Sequence, residues 1–323
     1  MASAVSFRAD TVGAIEGKNG MVGVTMPTAV TSASDIEFHY DVSNEFYGLW
    51  LDETLTYSAA LWDGSAADDR DGAALARAQR AKFAHHLDLA GVPTDGGVFR
   101  LLDVGCGWGG LLDFAITSGR VTQATGLTLS RAQRDHVRTA ARPGLDVVLE
   151  SWEEHRPAEP YDGIVSVGAF EHFVTKGTPH DERADAYRAY FERCHALLRP
   201  GASMSLQTIA YDGVTGPDGP VGAFVTTDIF PGATLPRLAE ITAACDPYFS
   251  VEALTSRADD YARTLAAWSA RLAAVREEAS ALVGADTVRR YRVYLRACES
   301  TFLRGAATLY RIGLRRRDVP LRG

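Results

Sequence analysis

Residues 101–110 read Leu-Leu-Asp-Val-Gly-Cys-Gly-Trp-Gly-Gly, and this stretch decides the fold. With Phe99 and Arg100 before it, the apolar run at 99–104 predicts a buried strand. Gly105, Gly107 and Gly110 then break the extended pattern, and a helical pattern follows from about 109 to 118. A strand that turns through glycines straight into a helix is the first unit of a doubly wound sheet. Ligands of such sheets sit at the carboxyl ends of the strands.

Outward from this turn, strands and helices alternate. Strands are expected near 124–129, at 146–150, at 161–167 ending on Gly168, and at 203–210. A helix is expected from Ser130, its N-cap, to Ala141, and another over 181–198, stopped by Arg199-Pro200-Gly201. Upstream, Leu75, Ala78, Lys82, Phe83 and Leu87 mark an amphipathic helix between Asp71 and Ala90. Downstream, a helix is expected near 235–244 and a strand at 249–256. Tyr261, Leu265, Trp268 and Leu272 share one helical face, a further helix covers roughly 286–303, and 308–315 returns as a closing edge strand. The alternation predicts an α/β fold with a doubly wound, mostly parallel sheet. Residues 1–34 have no sustained periodicity and read as a flexible arm. Residues 35–323 read as one domain, with cap elements from about 35–70 and 212–304, the latter opening on a Gly/Pro-rich loop at 212–233.

Composition narrows the function. The formal net charge of -8 repels phosphate backbones, which argues against nucleic acid as a partner. The four cysteines, Cys106, Cys194, Cys245 and Cys298, are widely spaced with no CxxC pair, so neither a metal site nor a disulfide framework is expected. A reducing, cytoplasmic location fits that cysteine usage. The chain has no run of about 18 apolar residues, so stable membrane insertion is not expected. A small molecule is therefore the expected partner, and a homo-oligomer remains open.

Gly105, Gly107 and Gly110 also match G-x-G-x-x-G, a weak signal by itself. A nicotinamide dinucleotide would need a carboxylate at the end of the second strand, where this chain has Gly126-Leu127-Thr128-Leu129-Ser130. The first strand itself carries Asp103, two residues before Gly105. This D-x-G-x-G order is similar to that of methyltransferases, which place it beside the amino-acid end of S-adenosyl-L-methionine. A tight turn without a ligand is the plainer alternative.

Six segments in order then resemble the cyclopropane-fatty-acid and mycolic-acid cyclopropane synthase family. They are HYDVSNEFYGLWLDETLTYS at 39–58, LLDVGCGWGG at 101–110, GLTLSRAQ at 126–133, VSVGAFEHF at 165–173, IFPGATLP at 229–236 and DYARTLAAW at 260–268. The resemblance implies a class I methyltransferase Rossmann-like fold of seven strands, with an antiparallel edge strand and a helical cap. It implies that Tyr57, Ser58, Gly105 and Gly107 lie against the methionine portion of S-adenosylmethionine, with Asp103 and Gly168 beside them. Thr128, Leu129 and Gln133 would face the ribose, and Trp152 and Glu153 would border the adenine. Glu171, followed by His172 and flanked by Phe170 and Phe173, would face the reacting carbon, and Tyr261 would reach into the pocket. Each has a plainer reading: Trp152 and Tyr261 as core, Gln133 as a solvated helix residue, Glu171 as a cap on its own backbone amides.

Two positions depart from the family. A bicarbonate ion is held there by a Cys and a His, among others; this chain has Ala59 and Gln207 instead. A neutral amide supplies no imidazolium charge, which weakens the case for bicarbonate and for ring formation while leaving the cofactor site untouched. The expected activity is C-methylation of an apolar, unsaturated lipid, isoprenoid or polyketide-type molecule, with Glu171 quenching the cation. N-methylation of an amine, true cyclopropanation, and a cofactor-bound cyclase that transfers no methyl are the alternatives. Arg304, Arg311, Arg315, Arg316, Arg317 and Arg322 read either as an anionic-surface site or as protection of an edge strand.

Overall fold

The computed structural model describes residues 43–64, 72–175, 177–212 and 234–321. The expected arm at 1–34, most of the loop at 212–233 and the first part of the segment at 229–236 lie outside them. In chain order the elements are α1 (Asn44–Trp50), α2 (Gly72–Leu89), β1 (Arg100–Val104), α3 (Gly110–Thr117), β2 (Gln123–Thr128), α4 (Arg131–Thr139) and β3 (Leu145–Leu149). Then come β4 (Tyr161–Val167), a 3₁₀ turn (Phe170–His172), α5 (His180–Leu197), β5 (Leu198–Tyr211), α6 (Leu238–Cys245), β6 (Phe249–Ser256), α7 (Ala258–Ala274), α8 (Arg276–Val283), α9 (Ala285–Leu303) and β7 (Ala307–Arg316).

The seven strands form one sheet in the order β3-β2-β1-β4-β5-β7-β6. The first five are parallel, and β7 is antiparallel to both β5 and β6. The parallel part is what the alternation predicted, and the seven-stranded sheet with antiparallel strands at one side is what the resemblance implied. The strand expected at the edge, β7, stands one place in from it, and β6 takes the edge. The strand expected at 203–210 begins earlier, at Leu198: Pro200 and Gly201 fall in a register irregularity opposite Tyr161 and Gly163, where a missing ladder donor costs little. The chain order reverses between β1 and β4, which opens the crevice beyond their carboxyl ends.

Local chemistry sets the boundaries. The Ser130 side chain accepts from Gln133 N–H at 3.3 Å and starts α4 as expected. Three apolar clusters hold the layers. Phe83 and Leu87 of α2 pack with Leu112 of α3 on one face of the sheet. Phe170, Tyr187, Tyr190 and Phe191 pack on the other. The third cluster joins Phe46, Tyr47 and Trp50 of α1, Trp108 after β1, Ile209 and Tyr211 at the end of β5, and Leu265 and Trp268 of α7. It lays a helical layer over the carboxyl ends of the strands.

One buried arginine pins that layer to the sheet. Arg311 of β7 is 1% exposed. Its Nε donates to Gln207 Oε1, its Nη1 to Asp260 Oδ2 on α7, and its Nη2 to the Ala60 carbonyl, each at 2.8 Å. Asp260 also accepts from Trp62 N–H and from Arg257. The arginine run therefore does not form one outward face. Arg311 points inward, and Arg316 and Arg317 donate to the carbonyls of His195 and Asp246. Removing one partner of a buried ion pair leaves the other charge uncompensated. Arg311→Met is expected to lower the unfolding free energy in urea by about 3 kcal/mol or more. Asp260→Asn should do nearly as much, and the double variant should lose less than the sum. A loss under about 1 kcal/mol in both single variants would remove the pair from this role.

Candidate active site

The turn after β1 and the turn after β4 touch. Gly105 has φ +84°, and a Cβ built on it would lie 2.5 Å from the Ala169 Cβ, so no other residue fits without moving the β4 turn. Its N–H and that of Cys106 both donate to the Leu127 carbonyl at 3.0 Å, which ties the turn to the end of β2. Gly107 and Gly109 also have positive φ, and a Cβ at Gly110 would lie 2.8 Å from the Thr54 carbonyl. The segment after α1 is thus pressed onto the start of α3. Asp52 shapes that segment by accepting from the N–H groups of Thr54 and Thr56.

Asp103, Lys82 and Glu171 are buried ionisable groups near the turn. Asp103 at the end of β1 is 2% exposed and its Oδ1 has no partner among the described residues; burial raises its carboxyl to about 7, opposed by Lys82. Lys82 of α2 is 1% exposed and donates to Ser58 Oγ at 2.9 Å; burial lowers its ammonium to about 7, with Asp52 opposing. Glu171 in the 3₁₀ turn is 3% exposed. Its Oε1 accepts from Ile209 N–H at 2.8 Å, while Oε2 has no hydrogen-bond partner among the described residues; burial raises this carboxyl too to about 7, opposed by the Ile209 amide and the Thr208 side chain. The carboxyl is therefore anchored on β5 by one oxygen. Its neighbour His172 is only partly buried, so the two residues do not share one dry setting.

The other expected residues lie at the ends of β2, β3 and β4 and in the helical layer. Gly168 N–H donates to the Gln207 carbonyl at 3.0 Å, and a Cβ at Gly168 would lie 3.9 Å from Ser58 Cβ. Ser58, Gly168 and Gln207 thus stand close together. Thr128 Oγ1 donates to Gln133 Oε1 at 2.7 Å, so Gln133 is a buried, oriented side chain rather than a solvated one. Leu129 follows, partly exposed. Trp152 packs on Phe173 and Tyr190, and Glu153 beside it is partly buried with its carboxyl raised, first by burial and then by Glu154. Tyr57 packs against Trp268, 5.1 Å between ring centroids, and Tyr261 against Phe302 at 4.6 Å, so both belong to the helical layer.

A polar stripe on α2 escaped the sequence reading. Gln79, Lys82 and His86 recur at helical spacing on the face that also carries Leu75 and Phe83. Gln79 Nε2 donates to the Ser58 carbonyl at 3.0 Å. His86 Nε2 donates to Gln207 Oε1 at 3.1 Å and its Nδ1 accepts from Ser205 Oγ at 2.7 Å; burial holds the imidazole neutral. The signal was a lysine inside an apolar pattern. Gln207 Oε1 therefore lies between a neutral histidine from α2 and the Arg311 guanidinium from β7, both from segments distant in sequence.

The family described as Mycolic acid cyclopropane synthetase matches residues 28–312. Cyclopropane mycolic acid synthase 2 of Mycobacterium leprae is 36% identical over 288 residues, spanning 83% of this chain and 88% of that one. The solved cyclopropane synthase MmaA2 of Mycobacterium tuberculosis superposes with TM-score 0.75 at 32% identity, covering 88% of this chain and 99% of its own. The mycolic acid cyclopropane synthase CmaA1, solved in complex with SAH and CTAB, gives TM-score 0.74 at 32% identity, with 88% and 98% covered.

The raised Glu171 carboxyl has a thermodynamic signature. The folded chain holds this proton more tightly than the unfolded chain, so the stabilisation is fully present below the ordinary value of 4.5 and is lost as pH rises to about 7. Glu171→Gln keeps an oxygen for Ile209 N–H and removes the titration. Between pH 5 and 7.5 the stability of the variant relative to wild type should rise by about 2–3 kcal/mol in urea unfolding curves. Parallel pH profiles would show that Glu171 is not held this way.

Proposed function

Since the chain belongs to the mycolic acid cyclopropane synthetase family and is an S-adenosylmethionine-dependent methyltransferase, we propose that it methylates carbon in an apolar, unsaturated small molecule. A lipid, isoprenoid or polyketide-type chain is the substrate class. The observation that carries this reading is Glu171: a dry carboxyl, fixed by one oxygen on β5, the other without a partner among the described residues, two residues beyond the Ala169 that packs on the glycine turn.

The residues present fit the cofactor. The orphaned Asp103 oxygen suits an ammonium group, and at Gly107 the missing side chain faces open space, which leaves backbone accessible to a ligand. Asp103, Ser58, Gly105 and Gly107, with Tyr57 and Gly168 beside them, would hold the amino-acid end. Thr128, Leu129 and Gln133 would hold the ribose, and Trp152 and Glu153 the adenine. When bound, S-adenosylmethionine supplies an electrophilic methyl group, so the acceptor gains positive charge on transfer.

Glu171 answers that charge. In a buried setting a carboxylate stabilises a nearby cation far more than it would in water. With a carboxyl titrating at about 7, the ionised form is available at neutral pH and can also take a proton. Methyl gained and proton lost leave a product one CH₂ heavier, with an alkene restored. Tyr261 and Tyr57 present aromatic rings in the helical layer, which favour cations over water. Ring closure is the second reading, favoured by the relatives' names. It needs the proton to leave the transferred methyl, with the same base available.

The test uses methyl-labelled S-adenosylmethionine with a panel of unsaturated acyl chains, prenyl alcohols and aliphatic amines. Label is expected on carbon in products one CH₂ heavier. Glu171→Gln should lower kcat by about 10²–10³-fold while leaving S-adenosylhomocysteine affinity within about threefold. Label found only on amine nitrogen, or full turnover in the variant, would overturn the reading.

A further inference from the structure

Lys82 stands out because it is a buried cation with no buried anion in contact. Its nitrogen donates to the neutral Ser58 hydroxyl at 2.9 Å and lies 4.7 Å from the centre of the Phe83 ring. Among the described residues it forms no ion pair, and Asp52 and Asp103 act on it only across distance. A lysine this buried is costly unless a negative group joins it. Nearby, Asp103 is its mirror image: a buried acid whose Oδ1 has no partner. One cation and one anion, unjoined, thus lie beneath the same glycine turn. A ligand that carries an ammonium and a carboxylate on one carbon satisfies both.

Resting on the cofactor reading above, we propose that Lys82 is a positioning residue for the carboxylate of the methionyl group, acting through the Ser58 hydroxyl. Ser58 Oγ accepts from Lys82, which leaves its single O–H proton to donate outward to an anion. The lysine polarises that hydroxyl and supplies the counter-charge from below, while Asp103 takes the ammonium. Gln79 fixes the hydroxyl's place by holding the Ser58 carbonyl at 3.0 Å. Gly168, at φ +73°, stands on the other side, where a Cβ would lie 3.9 Å from Ser58 Cβ. The helix before β1 thus takes part in the cofactor site, although none of its residues lies in the glycine turn.

Calorimetry on the full chain tests this by comparing S-adenosylmethionine with its decarboxylated form, which keeps the amine and sulfonium and lacks only the carboxylate. Wild type should prefer the intact cofactor by about 10–100-fold. Lys82→Met should remove most of that preference, weakening S-adenosylmethionine while changing the affinity for the decarboxylated form by no more than about threefold. Lys82→Arg should recover part of it. If Lys82→Met does not fold, Ser58→Ala must show the same ligand-selective loss. A variant that weakens both ligands equally, or a wild type that binds both equally, overturns the inference and leaves the methyltransferase reading standing. A wild type that binds neither overturns that reading instead.

Discussion

The structure depends on the contact between two turns at the switch point of the sheet. Gly105 after β1 and Ala169 after β4 are so close that one Cβ would collide. That approach brings the carboxyl end of β1, with Asp103, beside the short turn that carries Glu171. Because β4 also pairs with β5, the same turn reaches Ile209, which fixes one Glu171 oxygen. Three strands thus converge on one carboxyl, and a helical layer closes over them.

Around that centre the chain buries charge sparingly and in two ways. Arg311 and Asp260 are paired directly and tie sheet to helices, which is structural use of charge. Asp103, Lys82 and Glu171 are buried with unfilled capacity, and each is driven by burial toward neutrality near pH 7. Groups of the second kind cost stability in the free protein, a cost that folds carry where a ligand or a transition state repays it.

Most of the sheet was legible from residues 99–211, because strand, glycine turn and helix follow one another with short connections and clear periods. The glycine turn and the Glu171 segment are contiguous motifs, so they could be read directly. The placement of β7 could not: 308–315 looks like any returning strand, and only packing decides that it enters between β5 and β6. Arg311 was read as part of an outward run because six arginines cluster in sequence, yet β7 is an inner strand and Arg311 is buried there against Asp260 of α7. Lys82 and His86 were hidden for the same reason. Their partners, Ser58 and Gln207, lie 24 and 121 residues away, a pairing that no local pattern encodes. Gln207 on β5, read as the loss of a histidine, proved to lie against His86 of α2.

On the proposed function, the turn after β1 holds S-adenosylmethionine next to the anchored carboxyl. Titration calorimetry of the folded full-length chain with S-adenosylhomocysteine measures it most directly. Wild type is expected to show a single saturable site that is lost in Gly105→Val, whose side chain must displace the Ala169 turn. Absence of any heat from folded wild type, or an unchanged isotherm in a folded Gly105→Val variant, would contradict it.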